Sequence, residues 1–291
     1  MQKILLFIAS LFYFNSLFAK DEIKSWQGIH ETPLSRLEQQ FADPPVEFAN
    51  HVIWGWEGKM DKKTICNDLD SIKKKGFRAI IFEAGYKLPF KYLSEEWFKA
   101  IRTGVLEAKK RGMKVWIIDE GKYPSGFAGG KFSQERPDLR MQALVIGDTI
   151  QIKRGEVMTN HKIAPEIISA VAVSTSGAPN RTVAINNGEI SFNAGLDDWK
   201  ILLVKSDFRT AVTRAVNNPN GGKDATNSLC DYLNPIAVQQ FIDWTHKQYK
   251  KYLGKELGTT VLGFRGDEPD YAHLPWTPSI VQTFKETKSF R

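Results

Sequence analysis

The sequence predicts an α/β protein: a partial (β/α)8 TIM-type barrel of about four strand–helix units, carrying an inserted small antiparallel β lobe. Three observations point there. Apolar runs of strand length alternate with segments whose apolar residues recur at helical spacing. Short links join them, as in parallel βαβ units. Between residues 143 and 210 the rhythm breaks into short β-rich runs punctuated by Gly, Asn and Pro, and then resumes.

The elements follow in order. Residues 1–19 read as a signal peptide: Lys3, an apolar run from Ile4 to Phe14, then small and polar residues ending at Ala19. The expectation is export to the periplasm or the medium, with no membrane attachment after cleavage near Ala19. Residues 20–50 form a polar lead-in whose tail, Asp43-Pro44-Pro45, is not helical, because each Pro restricts its predecessor. Residues 51–142 make the first barrel part. His51–Trp56 is a strand, and Asp61 caps a helix with Ile65, Leu69 and Ile72 on one face. Arg78–Glu83 is the second strand. Ser94 caps a helix lined by Trp97, Ile101, Val105 and Ala108, and Gly112 stops it. Lys114–Glu120 is the third strand. Near-continuous apolar strands of this kind suit a sheet covered on both faces. Residues 211–291 make the second barrel part: a helix beginning near Pro235, a fourth strand at Thr260–Arg265, and a last helix near Pro278. Four units fall short of the eight that close a barrel.

Composition narrows the function. The net charge of +7 is scattered through Lys-rich helical segments such as Lys73-Lys74-Lys75. A nucleic-acid partner would need a clustered patch and a motif, and neither is present. Cys66 and Cys230 give no disulfide framework. They either pair with each other or remain two buried thiols. The five histidines, at 30, 51, 161, 246 and 273, lack metal-ligand spacing.

Parallel α/β folds place their sites at the C-terminal ends of strands. Two of those ends carry the same dipeptide, Asp119-Glu120 and Asp267-Glu268. Two facing carboxyl groups are what glycosidic hydrolysis requires, one to protonate the leaving oxygen and one as base or nucleophile. The two-residue period sends the members of each pair to opposite faces, and the longer reach of glutamate favours Glu120 and Glu268 as the catalytic residues. The competing reading is that these acids cap the following helices or bind loop backbone. Asp119, Asp267 and Glu83 are candidate substrate-binding groups. Trp54, Trp56, Tyr123 and Trp276 are candidate aromatic platforms for a sugar, against plain core packing. The Gly-rich run Gly121–Gly130 lacks the residue order of a phosphate loop and suits close approach of backbone to a ligand instead.

Four runs resemble the catalytic barrel of α-L-rhamnosidases of glycoside hydrolase family 106 and their relatives. They are Val52–Trp56, Tyr92–Phe98, Ala108–Glu120 and Tyr123–Gly130. The later stretches Asp231–Pro235, Gly266–Pro269 and Leu274–Pro278 are similar too. The resemblance implies an exported enzyme that releases rhamnose or a related sugar from plant or microbial polysaccharide with inversion. It also implies that the family's paired glutamates correspond to Glu120 and Glu268, and that calcium is a cofactor, with no ligands mapped here. Two features depart from the family. Members are much longer, so that the missing half of the barrel becomes an expected partner. Relatives read His-Ala-Arg after the second strand, where this chain reads Glu83-Ala84-Gly85-Tyr86. The alternative function is a truncated, non-catalytic carbohydrate-binding or vestigial fragment.

Overall fold

The computed structural model describes residues 34–43, 50–85, 87–121, 123–209, 228–268 and 274–287. The signal-peptide expectation, Pro44-Pro45, Tyr86, the loop at 217–222 and Pro269 lie outside them. The chain divides into two units, Met1–Asn50 and His51–Arg291. In the first, α1 (Leu34–Ala42) is a helix that the polar lead-in did not suggest. Leu34, Leu37 and Phe41 recur at helical spacing along it.

The second unit opens with β1 (His51–Trp56), α2 (Lys62–Lys74), β2 (Ala79–Ala84), α3 (Glu95–Lys110) and β3 (Lys114–Ile118). Asp61 caps α2 by accepting the Thr64 N–H at 2.9 Å, and Ser94 caps α3 by accepting that of Trp97 at 3.3 Å. Each satisfies an N–H that the first helical turn leaves orphaned. A short α4 (Lys131–Glu135) follows.

Next come β4 (Gln142–Ile152), β5 (Val157–Lys162), β6 (Ile167–Ser174), β7 (Arg181–Val183), β8 (Ile185–Asn186), β9 (Glu189–Asn193) and β10 (Trp199–Phe208). The chain continues through α5 (Pro235–Trp244), α6 (His246–Leu253), β11 (Val261–Arg265), β12 (Pro275–Trp276) and α7 (Ile280–Thr287). A single helix is expected across 235–253. The break comes at Thr245, which leaves helical geometry at φ −115°, ψ −87° while its hydroxyl donates back to the Phe241 carbonyl at 2.6 Å.

β1, β2, β3 and β11 form one parallel sheet in that order. The β-rich segment builds separate antiparallel sheets, β12-β4-β10-β6-β7 and β5-β9-β8. They enclose a core of Ile152, Ala170, Val183, Trp199 and Ile201. The two-residue period divides the parallel sheet into unlike faces. Trp56, Ile80, Phe82, Val115 and Ile117 face Ile65 and Leu69 of α2, Trp97, Ile101 and Val105 of α3, and Tyr249 of α6. Burying such side chains contributes roughly 1.5–3 kcal/mol each. Ile53, Ile81, Trp116 and Ile118 alternate to the opposite face and belong to no such cluster, and Ile53 is 47% exposed. Gly263 lies level with Trp116 there. A Cβ at Gly263 would stand 2.8 Å from the Trp116 ring, so only glycine fits beneath the indole.

Candidate functional site

The C-terminal end of the parallel sheet gathers Glu83 near the end of β2, Asp119 and Glu120 after β3, and Arg265, Asp267 and Glu268 at and after β11. The first question is where each carboxylate points.

Glu120 is 2% exposed. Its Oε1 accepts the N–H groups of Gly121 at 2.7 Å and Gly129 at 2.9 Å. Its Oε2 accepts those of Ala128 at 2.6 Å and Gly126 at 3.4 Å. The Gly-rich loop therefore wraps its amides around the protein's own carboxylate, and this nest has no room for a phosphate. Burial pushes the Glu120 carboxyl up to about 7, against the N–H donors of Gly129, Gly121 and Ala128, which favour the anion. Glu120, expected as an acid or base, instead organises this loop. A proton-transfer group must reach the substrate, and this one is walled in.

Asp119 ties the same loop to the next strand end. Its Oδ1 accepts the Ser125 hydroxyl at 2.8 Å. Ser125 Oγ in turn accepts the Asp267 N–H at 2.7 Å, and the Ser125 N–H donates to the Asp267 carbonyl at 2.9 Å. Asp119 Oδ2 lies 3.6 Å from His246 Nε2. Burial raises the Asp119 carboxyl, while the Ser125 hydroxyl and His246 oppose the rise. Burial likewise lowers His246, with Asp119 pulling the other way. The His246 ring stands edge-on to Phe264, with centroids 4.5 Å apart.

Glu83 stands on the face of the sheet away from α2 and α3. Gly55 is its register partner on β1, and its Oε2 lies 3.8 Å from where a Gly55 Cβ would be. Burial raises the Glu83 carboxyl, the charge of Asp267 adds to the rise, and Arg265 opposes it. Arg265 Nη2 is 4.0 Å from Asp267 Oδ1. At the rim, the Tyr123 hydroxyl donates to Glu268 Oε2.

The expected aromatic platforms separate. Tyr123 is 44% exposed beside Glu268. Trp56 is fully buried against Trp97 and Phe82 and offers a sugar no surface. Trp54 turns to the same side and packs edge-on to Phe82 at 5.6 Å. The alternation of β1 sends both indoles towards the helices. Trp276 lies in the antiparallel sheet, where β12 pairs it with Gln142 of β4. Cys66 and Cys230 are both free thiols. Among the described residues, no group of three or more His, Cys, Asp or Glu is set to hold a metal ion. Three participants were not singled out from sequence: Ser125, Arg265 and His246. Strand alternation could have found Arg265. Nothing in the spacing of the histidines marks His246.

No family model matches the sequence, and no curated protein matches it. Solved structures do. A rhamnosidase from Novosphingobium sp. PP1Y superposes with a TM-score of 0.56 at 11% identity, over 89% of this chain and 42% of that one. An alpha-amylase from H.orenii covers 81% of this chain and 42% of its own at 15% identity; its TM-score of 0.34 carries no argument. The chain thus spans less than half the length of the rhamnosidase it matches. At that identity the likeness speaks for the fold alone: a mixed α/β fold like that of the rhamnosidase.

Proposed function

We propose that this protein is an exported glycoside hydrolase of the α-L-rhamnosidase type, acting on plant or microbial polysaccharide with two carboxylates at the C-terminal end of its parallel sheet. The observation that carries the reading is Glu83, Arg265 and Asp267 set together at that end, beside Tyr123 and Glu268. Carboxylates of unlike surroundings at one strand end are the raw material of acid–base hydrolysis. In this reading the four parallel strands are part of a (β/α)8 barrel whose remaining strands come from further polypeptide, and Glu120 supports the loop that carries Tyr123. The test is release of reducing sugar from p-nitrophenyl α-L-rhamnoside and from rhamnose-containing polysaccharide by the chain together with the polypeptide that completes the barrel. No release from either by that assembly counts against it.

A second reading is favoured by the four-stranded sheet, in which β1 and β11 each have one parallel neighbour among the described residues. In it the chain is a non-catalytic carbohydrate-binding piece. Retardation on polysaccharide gels without any turnover would select it.

A further inference from the structure

We propose that Glu83 is the proton donor of the hydrolase reading and Asp267 the carboxylate that activates the attacking water, with Arg265 acting on both. This rests on the function proposed above and deepens it.

The argument begins with register. Gly55 pairs with Glu83, Phe82 with Ile117, and Arg265 with Ile118. One residue past Phe82, Glu83 therefore falls in line with Ile118, so that Gly55, Glu83, Ile118 and Arg265 form one row across the sheet. All four point to the face away from the helices. Gly55 leaves space on one side of Glu83, and Ile118 is apolar on the other. The charges that act on Glu83 are Asp267 and Arg265.

The other carboxylates at this end are committed. Glu120 is enclosed by amides, Asp119 is held by Ser125 and His246, and Glu268 accepts from Tyr123. Among the described residues no hydrogen bond ties the Glu83 carboxylate, although the residue is half-buried. A half-buried carboxyl without a partner pays for its desolvation and is poised to hold a proton. Burial and the Asp267 charge raise it accordingly.

Spacing sets the stereochemistry. β3 lies between β2 and β11, so the two strands stand about 10 Å apart, twice the neighbour spacing. Side chains leaning inward from that distance suit the roughly 6.5–9.5 Å separation of inverting enzymes. Asp267 is fixed for the task, since Ser125 holds its backbone at both N–H and carbonyl.

The step balances. The Glu83 carboxyl gives its proton to the glycosidic oxygen as the bond from that oxygen to the anomeric carbon breaks, its electron pair staying on oxygen. A water oxygen bonds to the anomeric carbon from the opposite face, and its proton passes to the Asp267 carboxylate. Asp267 later loses that proton to solvent, and Glu83 regains one. One water is consumed, and configuration inverts.

The experiment compares leaving groups in the full chain. Glu83→Gln is expected to lose on the order of 10²–10⁴ in kcat on methyl α-L-rhamnoside, whose leaving oxygen needs a proton. It should lose less than about 10-fold on the dinitrophenyl glycoside, which needs none. Asp267→Asn should lose equally on both, and azide should restore turnover as a glycosyl azide of inverted configuration. Equal losses for Glu83→Gln on the two substrates, or a loss under about 3-fold on both, would overturn the assignment while leaving an active wild type as a hydrolase. Carbon NMR of the Glu83 carboxyl provides a readout independent of turnover. It should titrate above the usual glutamate range and fall in Asp267→Asn. An ordinary titration overturns the assignment even in a chain that cleaves nothing, whereas an elevated one beside an inactive wild type overturns only the hydrolase reading.

Discussion

The Ser125 hydroxyl donates to Asp119 Oδ1 at 2.8 Å, and it is this bond that joins the loop after β3 to the end of β11. The same oxygen accepts the Asp267 N–H at 2.7 Å, so one side chain spans two strand ends. Ser125→Ala removes both bonds and leaves the buried Asp119 carboxylate one donor short. The expected cost is about 1–3 kcal/mol, because an unsatisfied buried acceptor loses its full solvation. Chemical denaturation should show it as a lowered midpoint with an unchanged slope. In the hydrolase reading kcat should fall more than KM rises, since Asp267 is misplaced rather than removed. Wild-type stability in the variant would mean that the bridge contributes nothing.

Trp56 and Tyr123 should behave as opposites. Trp56 is fully buried, and its indole N–H has no hydrogen-bond partner among the described residues. Trp56→Phe opens a small cavity but also removes an unpaired donor, so a net loss of about 1–2 kcal/mol is expected. Its saccharide affinity should match wild type. Tyr123→Phe removes the donor to Glu268 from a half-exposed ring. It should leave the melting temperature within about 2 °C, a surface-sized change, and weaken saccharide binding. Isothermal titration with an oligosaccharide, run beside thermal melts, separates the two.

Strand and helix order was legible because its signals are local. Apolar runs, Asp61 and Ser94 caps, and the stop at Gly112 each act within a few residues. The site was less legible, since a side chain's direction depends on register and on what the loops do. Alternation sends Trp54 and Trp56 to the helix side, which decides for core packing between the two readings open for them. The reach of Glu120 does not by itself say whether it extends to substrate or to backbone. The nest that captures it is made of backbone N–H groups, which the side-chain sequence does not display. Trp276 pairs with Gln142, more than 130 positions away in sequence. No local pattern announces such a contact.

The exposed edge of the sheet at β1 predicts association. Ile53 is 47% exposed on β1, which has β2 as its one strand neighbour among the described residues. Unpaired edges with exposed apolar groups recruit other chains, and an edge lysine discourages them. Ile53→Lys should lower the self-association of the purified chain, measured by light scattering across a concentration series, with a stability change within about 0.5 kcal/mol. An association state unaffected by the lysine would locate the contact elsewhere.

Glu120 predicts how stability depends on pH. Its carboxyl moves from an ordinary 4.5 up to about 7 in the folded chain, with burial as the first cause. Between those values the unfolded chain has released the proton and the folded chain still holds it. Stability is therefore greatest below about pH 4.5 for this group and falls as pH rises through about 7. The shift corresponds to roughly 3 kcal/mol at 1.36 kcal/mol per unit. Glu83, Asp119 and Asp231 are also raised, each with burial as the leading cause, and they push in the same direction. Denaturation midpoints should accordingly fall from about pH 5 to about pH 8, and Glu120→Gln should flatten that slope. The glutamine has its own cost. Gly121 and Gly129 donate to one oxygen of Glu120, and Ala128 and Gly126 to the other. An amide can accept on one side only, so its NH₂ must face two N–H donors. About 1–3 kcal/mol should be lost for each buried donor left unpaired. The variant should thus be less stable than wild type at pH 5 and show a weaker dependence on pH. A variant as stable as wild type, with the slope intact, would mean that the loop does not depend on this carboxylate.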